Sequence, residues 1–589
     1  MGMVTFTNSP CIYSAMNRFQ LSGYAFVFTI LLSLGIGNVW AQKPEVIAIS
    51  KRRASTEETI TLVGSGFGTN AANIVVNFGA VRGQVTSIAN TLLEVTVPAG
   101  ATHQPVSVTD LTSGLTGYSS KPFSLKFNGA TPYNATFGTQ VNFDGGAGLY
   151  DICLCDFDND MKTDVIAANR TSTSVTLLRN TTATPGGTVS FARTTIPIFA
   201  PSLHVTCGDL NGDGKKDVVI IDDLSTKVIF FRNTSPGPGT ITFAQTSISI
   251  TNHTDNVMPE IVDLDRDGKP EVVISDQTPK GANGQFSILR NLSTTSALVF
   301  DTPLEIKVPG ISSDDIVAAD LNGDQLPEII TNQYQLATSN LYIFENQSTP
   351  GSLAFAAPQT LAIGGTVKRI HVSDLDGDDN PDIAVTQLTV ASISIFRNTS
   401  SGGTISFASA VPVSTDFTPW GLDMADVDGD GKTDIVTASN TSKNLTLLQN
   451  SSTPGSLSFV RHSLATTFNN RGVRIGDMDG DSKPDIVFTD DGSAVTPAIP
   501  KISVLRNTHC VKPVITPEEA TLSLCSSKLP FQLNATMSRG SSYQWIKDGS
   551  PHGSCTLNQN TLNITDAGVY QVKILQEGSS CGNESGCAQ

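Results

Sequence analysis

At 589 residues the chain is too long for a single hydrophobic core, so three or more domains are expected. Only 15% of residues are charged, while Ser, Thr, Asn and Gly are abundant, which suits a β-rich extracellular protein better than a helical cytosolic one. A net charge of −17 leaves no basic face to meet phosphates and excludes nucleic acid as a partner.

The first element in chain order is a secretion signal. Arg18 precedes the apolar run YAFVFTILLSLGI, Tyr24 to Ile36, and Val39 and Ala41 are the small residues before a cut at Gln42. The run is short for a membrane span and ends in a cleavage-like site, so residues 1–41 are read as a signal peptide, with Met16 as an alternative start. No later apolar segment is long enough to cross a bilayer. The expectation is a protein secreted or held at the cell surface, with no integral membrane span. Export makes disulfides possible among the nine cysteines. No CxxC pair occurs, so a zinc ribbon has no support.

Residues 44–127 carry short β-type runs punctuated by turns: TITLVGSGFG, IVVNFG, LLEVTVPAG and PVSVTD. Their alternation and Gly/Pro punctuation predict a small sandwich. The succession GSGFG (Gly64–Gly68), VNFG (Val76–Gly79) and VPAG (Val97–Gly100) resembles the IPT/TIG family of immunoglobulin-like domains, which implies a spacer or adhesion module.

Residues 134–507 form a repeat array with a period of about 53 residues. Each unit has an apolar strand, an aspartate loop, a second strand, a third ending in a signature such as TLLRN or SIFRN, and a fourth such as ITFAQTSI. Four strands per unit without a helix signal predict propeller blades. The fourth strand follows only six units, and a seventh copy, ATFGTQVNF (Ala135–Phe143), precedes the first loop. Borrowed across the ring, it completes the last of seven blades and leaves no unpaired edge there.

The seven loops read DFDNDMKTD, DLNGDGKKD, DLDRDGKPE, DLNGDQLPE, DLDGDDNPD, DVDGDGKTD and DMDGDSKPD. Positions 1, 3 and 5 are Asp or Asn, and position 9 is Asp or Glu. The spacing matches the first half of an EF-hand loop, in which side chains at 1, 3 and 5 face one cation. The candidate ligands are Asp156, Asp158, Asp160 and Asp164 in blade one, and Asp209, Asn211, Asp213 and Asp217 in blade two. Blade three offers Asp263, Asp265, Asp267 and Glu271, and blade four Asp320, Asn322, Asp324 and Glu328. Blade five offers Asp374, Asp376, Asp378 and Asp382, blade six Asp426, Asp428, Asp430 and Asp434, and blade seven Asp477, Asp479, Asp481 and Asp485. These positions hold 26 of the chain's 54 acidic residues, a density that calls for compensating cations. Oxygen-only ligands favour Ca²⁺ over Mg²⁺, and the absence of His and Cys argues against zinc. Up to seven Ca²⁺ are expected. Loops one and four should bind most weakly, because Asn159, Met161 and Gln325 stand where other loops keep glycine and loop four has Asn322 at position 3. The competing reading is a set of Asp turns capping their own backbone, but that leaves an acid at position 9 in all seven copies unexplained.

The repeats resemble FG-GAP/VCBS repeats, the type that builds the calcium-bearing seven-bladed propeller of integrin α-subunits and of many secreted bacterial proteins. The resemblance implies fold and calcium but leaves function open, since the fold hosts adhesins, lectins, enzyme-attached domains and scaffolds. The domain order resembles secreted multidomain proteins of the Bacteroidetes type. Residues 511–589, with YQWIKDG around Trp545 and DAGVYQVKI around Tyr570, resemble a further immunoglobulin-like domain. Cys525 and Cys581 flank these strands as candidate disulfide partners, and the chain stops where a last strand is expected, so this domain reads as incomplete.

The fold class is therefore all-β, a seven-bladed β-propeller between two immunoglobulin-like β-sandwich domains. Asn-x-Ser/Thr sequons follow the third strands at Asn180, Asn233, Asn291, Asn346, Asn398 and Asn450, where repeat-derived turn chemistry explains them better than glycans. Three residues before each loop, Cys153, Thr206, Glu260, Val317, His371, Asp423 and Arg474 are placed to face a central channel. Asp314, Lys368, Trp420 and Arg471 lie further up these strands, with Trp420 the best single candidate for stacking on a sugar or peptide, although structural lining is the default and a lone Trp is more often packed. No nucleophile elbow, P-loop or metalloprotease motif appears. The expected function is non-catalytic binding or adhesion by a monomer with an extracellular protein or glycan partner. A lectin-type propeller, or the non-catalytic part of a larger secreted enzyme, is the alternative.

Overall fold

The computed structural model describes residues 42–126, 137–223, 227–250, 258–276, 283–309, 313–333, 339–490 and 499–508, and the strands between 515 and 576. The signal peptide, Cys11, and the Cys525–Cys581 pairing lie outside the described residues. The only helical element among those described is a single 3₁₀ turn, Ala71–Asn73, and none is long and apolar enough to cross a membrane.

The N-terminal domain folds as eight strands, in the order Glu45–Ile49, Thr59–Ser65, Leu92–Thr96, Val81–Ala89, Ile74–Phe78, Gln104–Asp110, Leu115–Leu125 and Arg53–Ala54. Alternation puts Ile60, Leu62, Leu93 and Val95 inside, against Val106, Val108 and an edge-on pair, Phe78 and Phe123, whose ring centroids are 4.9 Å apart.

Seven four-stranded antiparallel sheets follow, six of them ordered from the axis outward in chain order. In blade one these are Leu149–Cys155, Asp164–Asn169, Ser174–Asn180 and Phe191–Pro197. Blade seven is completed by the borrowed strand: Val141–Asp144 pairs with Lys501–Leu505, Lys501 opposite Asp144 and Val504 opposite Val141. Second strands such as Asp217–Asp222 and Asp485–Asp490 are buried throughout, because neighbouring blades cover both faces. Fourth strands such as Phe459–Ala465 are mostly exposed. The hydrophobic layers lie between blades. Ile166 and Ala168 of blade one pack with Val218 and Ile220 of blade two, and Val487 and Val504 of blade seven return to Val165 and Ala167 of blade one. The ring is closed.

After residue 508 the described strands form two three-stranded antiparallel sheets. One sets Ser541–Lys547, which carries Trp545, between Ser550–Leu557 and Tyr570–Gln576.

Candidate metal loops and the central cavity

Each loop joins an inner strand to the second strand, so all seven lie on one face of the ring. Their backbone is fixed by their own aspartates. In every loop the first aspartate accepts the N–H of position 6, the fifth residue accepts that of position 7, and one oxygen of the ninth accepts that of position 2. Positions 4 and 6 are driven into the left-handed region. Glycine fills many of them, but Asn159, Met161, Arg266, Gln325, Asp379 and Ser482 adopt the same conformation with φ between 58° and 73°.

These turns use part of the carboxylates' accepting capacity. What remains converges. One oxygen each from Asp156, Asp158 and Asp164, from Asp263, Asp265 and Glu271, from Asp374, Asp376 and Asp382, from Asp426, Asp428 and Asp434, and from Asp477, Asp479 and Asp485 lie within 4.8 Å of one another. That is the spread expected around one Ca²⁺ with oxygen ligands at about 2.4 Å. Blades two and four have Asn211 and Asn322 at position 3, so they offer two acids, Asp209 with Asp217 and Asp320 with Glu328, where the others offer three. The fifth-position residues, Asp160, Asp213, Asp267, Asp324, Asp378, Asp430 and Asp481, stand outside these clusters.

The clusters are chemically incomplete without a cation. Asp158 Oδ1, Asp263 Oδ1, Glu271 Oε1 and Glu328 Oε1 are buried and have no hydrogen-bond partner. Burial, with neighbouring carboxylates adding to it, pushes Asp156 up to about 7, Asp263 to about 6, Glu271 to about 9 and Glu328 to about 8. The residues present fit a hard divalent ion.

The third-strand signature holds the loops in register. Its asparagine is buried in all seven blades, and its Nδ2 donates to two carbonyls: position 8 of its own loop and position 2 of the preceding blade's loop. Asn291, for instance, spans Pro270 O at 2.8 Å and Leu210 O at 2.7 Å. The sequon pattern is therefore a blade-to-blade clasp. In blades six and seven the residue before this asparagine reaches the aspartate at loop position 3: Arg506 to Asp479 at 2.5 Å and Gln449 to Asp428 at 2.8 Å.

The N-terminal domain sits on this same face. Ala80 O accepts from Asp156 N, and Thr116 N donates to Gly268 O. Lys43 Nζ donates to Arg266 O at 2.7 Å, Arg52 pairs with Asp379, and Arg53 reaches into loop six. Beneath it a cavity of about 1170 Å³ enters the ring, lined by all seven of the residues expected to face the channel. Of its lining residues, Arg474 binds the buried Asp151 at 3.1 Å, which His204 also binds at 3.1 Å, and His371 Nε2 lies 3.1 Å from Asp423 Oδ1. A disulfide joins Cys155 to Cys207, linking the inner strands of blades one and two, with Cys153 free and buried beside it. Sequence reasoning did not pair them, although their separation of 52 residues is within one residue of the repeat period.

Trp420 is not an open platform. Lys368 Nζ lies 5.2 Å and Arg471 Cζ 5.3 Å from its ring centroid, and Lys368 is itself buried against Asp314 at 2.8 Å. The ring surface that could have stacked on a ligand is taken by the protein's own cations.

A family model for the FG-GAP-like repeat matches residues 156–220, 209–274, 320–385, 388–437 and 426–488, and one for the IPT/TIG domain matches residues 44–127. Curated proteins give no match. Similar solved structures include BBS1N in complex with ARL6DN, with 10% identity and a TM-score of 0.43 over 64% of this chain and 100% of that one. Two auxiliary nutrient binding proteins, from Bacteroides ovatus and Bacteroides thetaiotaomicron, have 12% and 10% identity and TM-scores of 0.30 and 0.31, each over 79% of this chain and 98% of theirs.

Proposed function

We infer, from a chain that carries FG-GAP-like repeats and an IPT/TIG domain on one seven-bladed propeller, an exported binding protein that calcium stabilises and that works by non-catalytic contact, in adhesion or matrix attachment. The observation that carries the metal half of this reading is the set of converging buried carboxylates with unpartnered oxygens. Calcium supplies the positive charge those oxygens need and ties each inner strand to the second strand of its blade. The binding half rests on architecture. Rigid blades present loops on two faces, where ligands can be bound by loop shape.

The test is thermal unfolding of the full chain in calcium and then in a chelator. A large fall in Tm on chelation, restored by Ca²⁺ more than by Mg²⁺, supports the reading. An unchanged Tm would show that the loops are self-sufficient turns.

A further inference from the structure

The inner strands run toward the metal loops, so their first residues lie at the opposite mouth of the channel. The N-terminal domain covers the loop face, which leaves this second mouth as the one it does not seat upon. Here four blades, five, six, seven and one, contribute a cluster of cations and rings. Lys368 lies over Trp420, Arg471 lies 5.3 Å from the Trp420 centroid and 4.8 Å from that of Tyr150, and Arg170 lies 5.5 Å from the Tyr150 centroid. The rings hold the guanidinium of Arg471 in place.

The other two cations of this cluster are matched by acids: Lys368 by Asp314 and Arg170 by Asp223. Among the described residues Arg471 has no carboxylate paired with it, and its Nε is buried without an acceptor. The indole Nε1 of Trp420, the ring it touches, is likewise buried without an acceptor. Two adjacent side chains therefore each withhold a buried donor, and one of them carries an uncompensated charge. Leaving such donors unmade is costly, and an anionic acceptor satisfies both needs at once.

We propose that Tyr150, Trp420 and Arg471 form a binding site for a carboxylate group at the mouth of the propeller opposite the metal loops. The carboxylate accepts from Arg471 Nε and Trp420 Nε1, while Tyr150 and Lys368 hold those two side chains in position. This rests on the reading of the chain as a non-catalytic binding protein and names the chemistry of its ligand. It also changes the role of Trp420, which contributes the N–H at its edge, while Lys368 and Arg471 lie against its ring.

The test is calorimetric titration of the full, calcium-loaded chain with D-glucuronate, N-acetylglycine and D-glucose. Saturable binding of at least one of the acids and none of glucose is expected. Glucuronate alone assigns the carboxylate to an acidic sugar, and N-acetylglycine alone assigns it to a peptide C terminus. Trp420→Phe keeps the ring and removes only the N–H, and Arg471→Gln removes the charge; each should weaken the acid about tenfold or more. No saturable heat with either acid, or an affinity unchanged in Trp420→Phe and in Arg471→Gln, overturns the proposal. A calcium-dependent Tm measured on the same sample separates the two readings. Calcium stabilisation without acid binding removes only this inference, whereas a Tm indifferent to chelator removes the metal reading on which the fold's rigidity was argued.

Discussion

Arg53 of the IPT/TIG domain places Nη2 2.6 Å from Oδ2 of Asp426, the first aspartate of loop six. A Cβ on Gly431 would lie 1.6 Å from the Arg53 Nη1, so the glycine at position 6 makes room for the arginine as well as for the turn. The guanidinium and a metal ion compete for the same carboxylate. Arg53→Ala should lower the stability of the calcium-free protein by about 1–3 kcal/mol, since Asp426 is buried and loses a charged partner. In calcium the loss should shrink, and the affinity of loop six should rise. Calorimetric calcium titration paired with melts in chelator reads both effects.

The asparagine clasps predict a large effect from a small change. Asn291→Ala removes two buried hydrogen bonds and strands the carbonyls of Leu210 and Pro270. A cost of about 2–4 kcal/mol in urea unfolding is expected. Asn291→Asp should be worse, because an acceptor then faces two acceptors.

Met161 holds φ at 65° on an exposed loop, a conformation that costs a side-chain-bearing residue about 1 kcal/mol. Met161→Gly should stabilise the protein by about that amount and tighten calcium binding in loop one. Differential scanning calorimetry with and without calcium separates the two gains.

Glu260, in the channel wall, is pushed up to about 8 by burial and then by the charge of Asp315, with Arg474 opposing. The folded protein thus holds this proton more tightly than the unfolded chain, where the carboxyl titrates near about 4.3. Its contribution to stability is present below that value and is lost as pH rises through about 8. Glu260→Gln should therefore flatten the fall in Tm between pH 5 and pH 9 of about that span. A variant whose profile matches the wild type would show that Glu260 does not carry the dependence.

The Cys155–Cys207 bridge closes a loop of 52 residues, worth about 4 kcal/mol in the chain-entropy account. Reduction, or the Cys155→Ser/Cys207→Ser double variant, should lower Tm clearly. Non-reduced peptide mapping should link these two cysteines and leave Cys153 free.

Much of the fold was legible because a repeat states its pattern seven times. Strand alternation, the Asp/Asn spacing and the permuted strand ATFGTQVNF each reappear in the structure as seven sheets closed by Val141–Asp144. These are local features, written within one period, and local chemistry specifies them: Asx turns impose the same left-handed backbone on Met161 and Gln325 as on Gly431. The regular sequons were legible as repeat chemistry, but their purpose was not. A clasp such as Asn291 to Leu210 joins residues 81 apart, and no periodicity states where one blade's side chain meets another's carbonyl.

The sequence by itself determined the all-β class, the seven units and the acid-rich loops, because each depends on residues close in the chain. The tertiary structure alone decided three things. It set the IPT/TIG domain on the loop face, with Arg53 against Asp426 across 373 residues. It paired Cys155 with Cys207. It set Lys368 and Arg471 against the ring of Trp420, the residue the sequence offered as a stacking candidate. The physical reason is the same in each case. Ion pairs, cation–ring contacts and disulfides depend on distance in space, which the closed ring sets and the order of residues does not.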